Sequence, residues 1–179
     1  MKNNLTTFPL QMKSNLITFP FFVGLSDEEI ELFTSNMMII DFKKEENILT
    51  EDAEGHSLLF VLDGEVTISK ALTLVTNKMD ENDNREKTLT KLNSKDAKIM
   101  LGEIALFSPD KKRNATVIAV EDCKVAKLDF DKIFEICDKD TNLGYKIMKN
   151  LSKITAKNLI DANHKVLKLT TAFSLLIDN

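Results

Sequence analysis

Between residues 37 and 128 the apolar residues come in short segments, separated by charged or glycine-containing turns. Such spacing is typical of antiparallel strands, because a strand needs only about four to eight residues before the chain turns back. Eight segments occur with no long helical pattern between them: 37–42, 47–49, 57–62, the alternating segment from Val66, 87–92, 99–101, 115–120 and 123–128. They predict an eight-stranded antiparallel barrel or double-sheet jelly roll.

Two connections in this region are predicted in more detail. Asp63-Gly64 lies between two strand segments, and an Asp-Gly pair readily adopts the positive φ angles of a type I′ turn. We therefore expect a tight two-residue hairpin at this point. Residues 77–86 carry no apolar periodicity, which predicts an exposed loop between strands.

Helical patterns flank the strands on both sides. Ser26 and Glu29 are spaced as a capping box, in which each side chain satisfies a free backbone amide of the other residue, and a short helix is predicted to follow. After residue 128 the pattern becomes helical again, with Asp129 as the predicted N-cap. The apolar face of this helix is predicted to contain Ile133, Phe134 and Cys137.

A stripe of regularly spaced residues then continues toward the C-terminus. It predicts one long helix, either continuous or broken near its end, whose stripe suits pairing with a second copy of the chain. The stripe consists of Leu143, Ile147, Leu151, Ile154, Asn158, Ala162, Val166, Leu169 and Phe173. We predict a mainly β fold with flanking helices: an N-terminal arm and helix over 1–36, a β-roll over 37–128 and C-terminal helices over 129–179.

The inventory of reactive side chains argues against several classes of function. The chain has 179 residues, a net charge of −4, two cysteines and two histidines far apart in sequence. A metal site usually needs several such ligands at close spacing, and no Ser/His/Asp or Cys/His pattern marks a nucleophile, so we expect no metal, no cofactor and no enzyme. No apolar stretch is long enough for a signal peptide or a membrane span, so we expect a cytoplasmic protein without membrane contact.

One segment carries the chemistry of anion binding. It reads GEIALF at 102–107, followed by RNATV at 113–117. A glycine before a short helical turn leaves backbone N–H groups free for an anion, and Arg113 adds a guanidinium that can hold two phosphate oxygens at once. Glu103 is an acceptor for a sugar hydroxyl. Phosphate donors beside a sugar acceptor predict a nucleotide-sized pocket.

This segment resembles the phosphate-binding cassette of cyclic-nucleotide-binding domains, the family found in the bacterial catabolite activator protein and in eukaryotic cyclic-nucleotide-dependent kinases. That cassette reads roughly G-E-[LI]-[AG]-L, a variable stretch, then R-[AST]-A-[TW]-V. Further similarity lies in PFFVGLSDEEIELF near the start, in FVLDGEVTI and in KVAKLDFDKIFEI. The resemblance covers most of the chain and implies that the β-roll binds cAMP or cGMP.

The resemblance also implies roles for individual residues. Glu103 would bind the ribose 2′-hydroxyl and Arg113 the cyclic phosphate. The backbone around Gly102 and Ile104, and that from Asn114 to Ala115, would complete the phosphate cradle. The asparagine stands where the family usually has a small or hydroxyl residue, so hydrogen bonding beside the phosphate is expected to differ.

In the same family the long C-terminal helix covers the pocket. Ala162 and Asn163 fall near the positions that meet the base, and Asn163 is expected to read the base edge. The bacterial activators carry a helix-turn-helix domain after this helix, whereas few residues follow His164 here. We therefore expect a cyclic-nucleotide sensor that transmits occupancy through its C-terminal helix, as a homodimer and without direct DNA binding.

Plainer interpretations remain open for these residues. Glu103 and Arg113 could form an ordinary ion pair, and Asn163 could be a solvated helix position. Asn158 interrupts the apolar stripe and either sets the register of a helix pair or faces water. The basic row of Lys149, Lys153 and Lys157 is either a solvated face or a contact for an acidic partner, nucleic acid or a membrane surface. The whole domain could also be a structural or interaction module with an empty pocket.

Overall fold

Eight antiparallel strands form two four-stranded sheets in the computed structural model, which describes residues 14–71 and 86–177. In spatial order the first sheet contains β1 (Met38–Phe42), β8 (Cys123–Asp129), β3 (Ser57–Asp63) and β6 (Ile99–Leu101). The second contains β2 (Asn47–Leu49), β7 (Thr116–Ala119), β4 (Glu65–Ala71) and β5 (Glu86–Asn93). The strand predictions are confirmed to within a residue or two at each end.

A closed barrel is not shown. Over the two described ranges every strand pairing lies within one sheet or the other, so the double-sheet form of the prediction is the one that the structure supports. The predicted loop over 77–86 lies outside the described residues except for Glu86, where β5 begins.

The predicted hairpin at Asp63-Gly64 is wrong. β3 pairs with β6 and β8, whereas β4 pairs with β5 and β7, so the chain crosses from one sheet to the other at this point. Gly64 has a φ of +105°, and a Cβ there would lie 2.9 Å from the backbone oxygen of Asp122. Glycine is required because the corner packs against another chain segment, and local turn preference alone does not reveal such packing.

Strand β3 lies between two apolar clusters, one beneath the helices and one between the two sheets. Leu58, Phe60 and Leu62 on one of its faces belong to the cluster beneath the helices. Leu59 and Val61 on the other face belong to the cluster between the sheets. Because both faces are covered, the strand is an unbroken apolar run rather than an alternating one.

Within 14–71 and 86–177, helical residues at 14–16 are followed by one 3-10 turn and four α-helices. The turn spans Pro20–Phe22 and is followed by α1 (Asp27–Thr34), α2 (Glu103–Phe107), α3 (Phe130–Lys139) and α4 (Thr141–Ile177). The capping box is confirmed, since Ser26 Oγ accepts from Glu29 N at 3.3 Å and Ser26 N donates to Glu29 Oε2 at 2.7 Å.

The C-terminal helices differ in detail from the prediction. Asp129 is the N-cap of α3, but its side chain makes no capping hydrogen bond, and Phe134 is 38% exposed instead of buried. The chain leaves helical geometry at Asp140, whose Oδ1 accepts from the amides of Asn142 and Leu143 at 3.0 and 3.1 Å. From there α4 runs 37 residues without a break, about 55 Å at 1.5 Å per residue.

The first three turns of α4 bury their apolar side chains against the domain. Leu143, Ile147 and Leu151 are fully buried there. Buried Asn150 donates its Nδ2 to the backbone oxygens of Phe21 and Val23 at 3.0 and 2.8 Å. Lys146 Nζ pairs with Glu29 of α1 at 2.7 Å. From residue 152 to 177 every position except half-buried Ile154 is exposed, so a fixed base carries a long, mostly exposed segment.

Two further observations bear on the classes of function. No helix within 14–71 and 86–177 is long and apolar enough to cross a membrane. Over the same ranges no three His, Cys, Asp or Glu side chains come together as a metal site would need.

Candidate ligand-binding site

A cavity of about 270 Å³ opens between the second sheet, the β6–α2 segment and helix α4. Its polar side is formed by the 102–105 backbone, Arg113, Asn114 and Asn158. Its apolar side consists of Leu49, Ile68, Leu92, Ile99, Leu101 and Val117. A pocket with one apolar wall and a few convergent polar groups is the usual form of a small-molecule site.

Gly102 creates the polar end of the cavity. It is the N-cap of α2 and has a φ of +92°, a conformation that L residues rarely adopt. The following turn leaves amides of its first residues without helical acceptors, because an α-helix cannot satisfy its own first N–H groups. Glu103, at the start of that turn, is only 8% exposed.

Arg113 lies in a slot between two glycines. A Cβ at Gly55 would collide with its Nε and Cζ, and a Cβ at Gly102 would collide with its Nη1. The backbone of Arg113 is held by hydrogen bonds to Ala53 O and from Asp52 N, both at 2.9 Å. Its Nη2 donates to Ser57 O at 2.9 Å and to Ser57 Oγ at 3.3 Å. The side chain is therefore fixed before any ligand arrives.

The second terminal nitrogen of this guanidinium has no partner. Arg113 is 6% exposed, and its Nη1 is the one fully buried side-chain nitrogen or oxygen without a hydrogen bond in the described part of the chain. Burial lowers the pKa of Arg113, but a guanidinium stays charged at any ordinary pH. An unpaired buried donor on a cation costs free energy, so the geometry calls for an anionic acceptor at Nη1.

Glu103 does not supply that acceptor. Among the described residues no ion pair within 4.0 Å joins Glu103 to Arg113, so the simple ion-pair interpretation is not what the structure has. Instead Glu103 Oε1 accepts from Asn158 Nδ2 at 2.8 Å. Burial raises the pKa of Glu103, opposed by its hydrogen bonds and by the nearby charge of Arg113.

The structure brings six of the seven predicted site residues to one cavity. They are Gly102, Glu103, Ile104, Arg113, Asn114 and Ala115. Asn163 is exposed on α4 and is not among the residues that line the cavity. The helix contributes Asn158 instead, which the sequence analysis did not place in the site; the polar interruption of the apolar stripe at that position is the signal that could have marked it.

Comparison with known protein families identifies the family of this domain. A family model described as the cyclic nucleotide-binding domain matches residues 39–140, more than half of the chain. The chain belongs to the cyclic nucleotide-binding domain family. The match includes both sheets' strands from β1 onward, the α2 turn and Arg113. No curated protein matches the chain.

Three solved structures illustrate the similarity in fold. The catabolite activator protein of Thermus thermophilus is 22% identical with a TM-score of 0.67, over 85% of this chain and 63% of that one. A cyclic nucleotide-binding domain from Methylobacillus flagellatus is 22% identical with a TM-score of 0.69, over 88% and 80%. The regulatory domain of Toxoplasma gondii PKA with cAMP is 21% identical with a TM-score of 0.60, over 74% and 46%. The chain thus spans less than two thirds of the Thermus protein.

Replacing Glu103 with glutamine is expected to stabilise the ligand-free domain. Because burial raises the folded-state pKa of this carboxyl, the protonated form favours folding, and that contribution is lost as pH rises through the folded pKa. Glutamine stays neutral and keeps an acceptor for Asn158. We expect a gain of about 0.5–2 kcal/mol near neutral pH, the usual size of a single stabilising substitution. The gain should shrink as the pH falls toward the ordinary glutamate range.

Urea unfolding followed from about pH 8 to about pH 4 measures this difference. The matched control is Glu135→Gln on α3. Lys132 and Lys139 lower the pKa of Glu135 to about 2, so its charged form favours folding and no gain is expected. A Glu103→Gln protein no more stable than wild type at neutral pH would contradict the burial argument.

Proposed function

We propose that this domain is a cytoplasmic regulatory module that binds a cyclic mononucleotide, cAMP or cGMP, and does not act as an enzyme. The observation that carries the proposal is Arg113 Nη1, a buried cationic donor without a partner at the edge of a nucleotide-sized cavity. A cyclic phosphate supplies two exocyclic oxygens, which suits a guanidinium whose other nitrogen already holds Ser57.

The remaining groups match the rest of such a ligand. Glu103 has carboxylate lone pairs beyond the one that Asn158 occupies, and these can accept from a ribose hydroxyl. The apolar side of the cavity, with Ile68 and Leu92, suits the face of a purine. Family membership and the cAMP named with the Toxoplasma regulatory domain support the same ligand class.

The size of the cavity favours one nucleotide over two. Its volume of about 270 Å³ lies just below the range of about 300–1,000 Å³ found for most small-molecule pockets. A cyclic dinucleotide has a second phosphodiester and a second base, and the described cavity contains one buried arginine for one phosphate. We therefore infer that c-di-GMP is not the ligand of this pocket.

Calorimetric titration of the intact chain tests the proposal. The ligands are cAMP, cGMP, c-di-GMP and the open-ring 5′-AMP, which carries an extra negative charge on the same sugar and base. We expect micromolar or tighter affinity for at least one of the two cyclic mononucleotides. c-di-GMP and 5′-AMP should each bind at least tenfold more weakly, a difference of about 1.4 kcal/mol in binding free energy. Binding of no cyclic mononucleotide to folded protein would overturn the proposal and favour an interaction module on this fold.

The projecting part of α4 supports a second copy of the chain as the partner. Six of its exposed apolar residues are spaced alternately three and four apart, the heptad pattern of a left-handed two-stranded coiled coil. One set of heptad positions holds Leu159, Val166 and Phe173, and the other holds Ala162, Leu169 and Leu176. We name these six residues the seam. Each of them is exposed in the single chain, so a second helix would bury the whole row.

Leu169→Glu in the seam is expected to dissociate the dimer, because a carboxylate at the centre of a helix pair must be desolvated without a partner. Leu167→Glu is the matched control: the two leucines are 63% and 65% exposed, but Leu167 lies on another face of the helix. Light scattering at micromolar concentration should give a dimer for wild type and Leu167→Glu and a monomer for Leu169→Glu. A monomeric wild type would contradict the proposal that two chains pair through the seam.

A further inference from the structure

The aromatic ring of Phe130 lies against the guanidinium that forms the proposed phosphate anchor. The Cζ atom of Arg113 is 6.0 Å from the centroid of this ring, within the range of a cation–π contact. Phe130 is the first residue of α3 and is 2% exposed. It is not among the residues that line the cavity, so the ring can act on a bound nucleotide only through Arg113.

We propose that Phe130 is a positioning residue that fixes the plane of the Arg113 guanidinium and thereby sets the preference of the site for a cyclic phosphate. This inference rests on the proposed function, because it concerns the same arginine and the same class of ligand. It adds a residue from outside the cassette, which ends at Val117, to those that determine specificity.

The hydrogen bonds of the guanidinium do not fix its plane. Both are donated by Nη2, one to Ser57 O at 2.9 Å and one to Ser57 Oγ at 3.3 Å. Bonds from a single nitrogen hold that nitrogen in place, but the planar group can still turn about it. Gly55 and Gly102 make room for the group and have no side chain to hold it. A contact from a second direction is needed, and the ring of Phe130 supplies it.

The fold brings Phe130 and Ser57 side by side at the ends of two paired strands. Ser57 pairs with Asp129 across β3 and β8, and Phe130 follows directly. The Phe130 amide donates to His56 O at 2.8 Å, which extends that pairing by one hydrogen bond. Two successive residues of one chain segment, His56 and Ser57, therefore hold the backbone of Phe130 and Nη2 of Arg113.

Burial makes this ring contact effective. The guanidinium is desolvated, which lowers the pKa of Arg113, and an aromatic ring attracts a desolvated cation more strongly than an exposed one. The contact is already present without ligand, so it favours binding by pre-organisation of the donor. If loss of the ring leaves the productive orientation in about a tenth of the molecules, the affinity falls about tenfold.

A fixed plane also accounts for a preference between phosphates. A guanidinium with fixed N–H directions selects its acceptor by geometry, whereas one that turns freely acts as a point charge. The open-ring 5′-monophosphate carries an extra negative charge, so a point charge attracts it at least as strongly as the cyclic nucleotide. Loss of the ring should therefore weaken binding of the cyclic nucleotide more than binding of the monophosphate.

The binding test compares Phe130→Leu with the matched control Phe33→Leu in the intact chain. Both rings are buried in the same apolar cluster outside the cavity lining, but within the described residues no cation lies over Phe33. Phe130→Leu is expected to bind cAMP or cGMP about tenfold more weakly, with a smaller loss for the 5′-monophosphate of the same base. Phe33→Leu should keep both affinities, although urea unfolding should show that both variants lose stability.

Nuclear magnetic resonance tests the ring contact without any ligand. The chain has two arginines, Arg85 and Arg113, so arginine-selective isotope labelling gives two Nε–H signals. The ring current of Phe130 is expected to shift the Arg113 signal, which the Arg113→Lys variant identifies by its loss. That shift should disappear in Phe130→Leu and remain in Phe33→Leu. An Arg113 signal at the same position in wild type and Phe130→Leu would overturn the inference.

The affinities distinguish positioning from a merely structural role of the ring. Proportional losses for the cyclic nucleotide and the monophosphate, or equal losses in Phe130→Leu and Phe33→Leu, would contradict the assignment, because a loosened core explains them. If the wild type binds no nucleotide, the proposed function fails, and the role of Phe130 in specificity fails with it. If the wild type binds and Phe130→Leu binds identically, the inference fails alone.

Discussion

Arg113→Ala is expected to weaken cyclic-nucleotide binding by at least about 100-fold. Removing one partner of a buried charge pair costs about 3–5 kcal/mol, because the other charge stays buried without compensation. Each 1.4 kcal/mol corresponds to about a tenfold change in affinity, so the affinity should fall by about 100-fold or more. The side chain is held ready by Ser57 and by the two glycines beside it, so little of its binding energy is spent on ordering.

Two further variants distinguish the geometry of Arg113 from its charge. Arg113→Lys keeps a positive charge but cannot hold Ser57 O and a phosphate with one planar group, so it should recover only part of the affinity. Lys112→Ala removes an adjacent exposed cation and should bind nearly as wild type, with only a small screened electrostatic loss. Calorimetry of all three variants, with circular dichroism to verify folding, makes the comparison.

The outcome for these variants decides between the phosphate anchor and the empty-pocket alternative. Equal losses in Lys112→Ala and Arg113→Ala would indicate a diffuse charge effect rather than a bidentate contact. Wild-type affinity in a folded Arg113→Ala protein would mean that the nucleotide does not touch the guanidinium, and the function proposed above would need another anchor.

Much of the fold could be predicted from sequence because its signals are local. Strand segments, the capping box and the cassette each occupy a short stretch, and propensity and spacing report directly on such stretches. The prediction of a hairpin at Asp63-Gly64 was wrong because tertiary strand pairing overrides the local turn preference. The dipeptide suits a hairpin in isolation, but its strands have better partners elsewhere, β8 for β3 and β7 for β4.

The parts of the site that sequence analysis missed depend on distances across the chain. Gly55 stands 58 positions before Arg113, and nothing local shows that its missing side chain makes room for a guanidinium. Asn158 required the register of α4 against the sheet, which the break at Asp140 sets. Asn158 stands five residues before Asn163, and the packing of α4 places Asn158 at the cavity although the family pattern pointed to Asn163.

Gly102→Ala is expected to destabilise the domain strongly and to disable the pocket. Holding alanine at a φ of +92° costs about 1–3 kcal/mol of backbone strain. The new Cβ would also lie 2.8 Å from the backbone oxygen of Ser57 and would collide with Arg113 Nη1, an overpacking cost of about 1–3 kcal/mol. The two contributions sum to about 2–6 kcal/mol.

A comparison of Gly24→Ala with Gly102→Ala separates the cost of backbone strain from the cost of the steric contacts that the added Cβ makes. Gly24 has a similar φ of +80°, but a Cβ there meets no atom within 4 Å. This control should lose only the strain, about 1–2 kcal/mol for a left-handed L residue, and should retain nucleotide affinity. Urea unfolding of the two variants and of wild type measures the difference between the two costs.

The two glycine variants also test whether Gly102 is needed only for the backbone turn or also to make room for the Arg113 guanidinium. If Gly102 serves only the turn, both substitutions should cost about the same and binding should survive in each folded variant. If Gly102 makes room for the guanidinium, its alanine variant should lose more stability than Gly24→Ala and should lose nucleotide binding even where it remains folded. Arg113 can move away from the added methyl only by giving up Ser57, and the donor geometry that a cyclic phosphate needs would be lost with that bond.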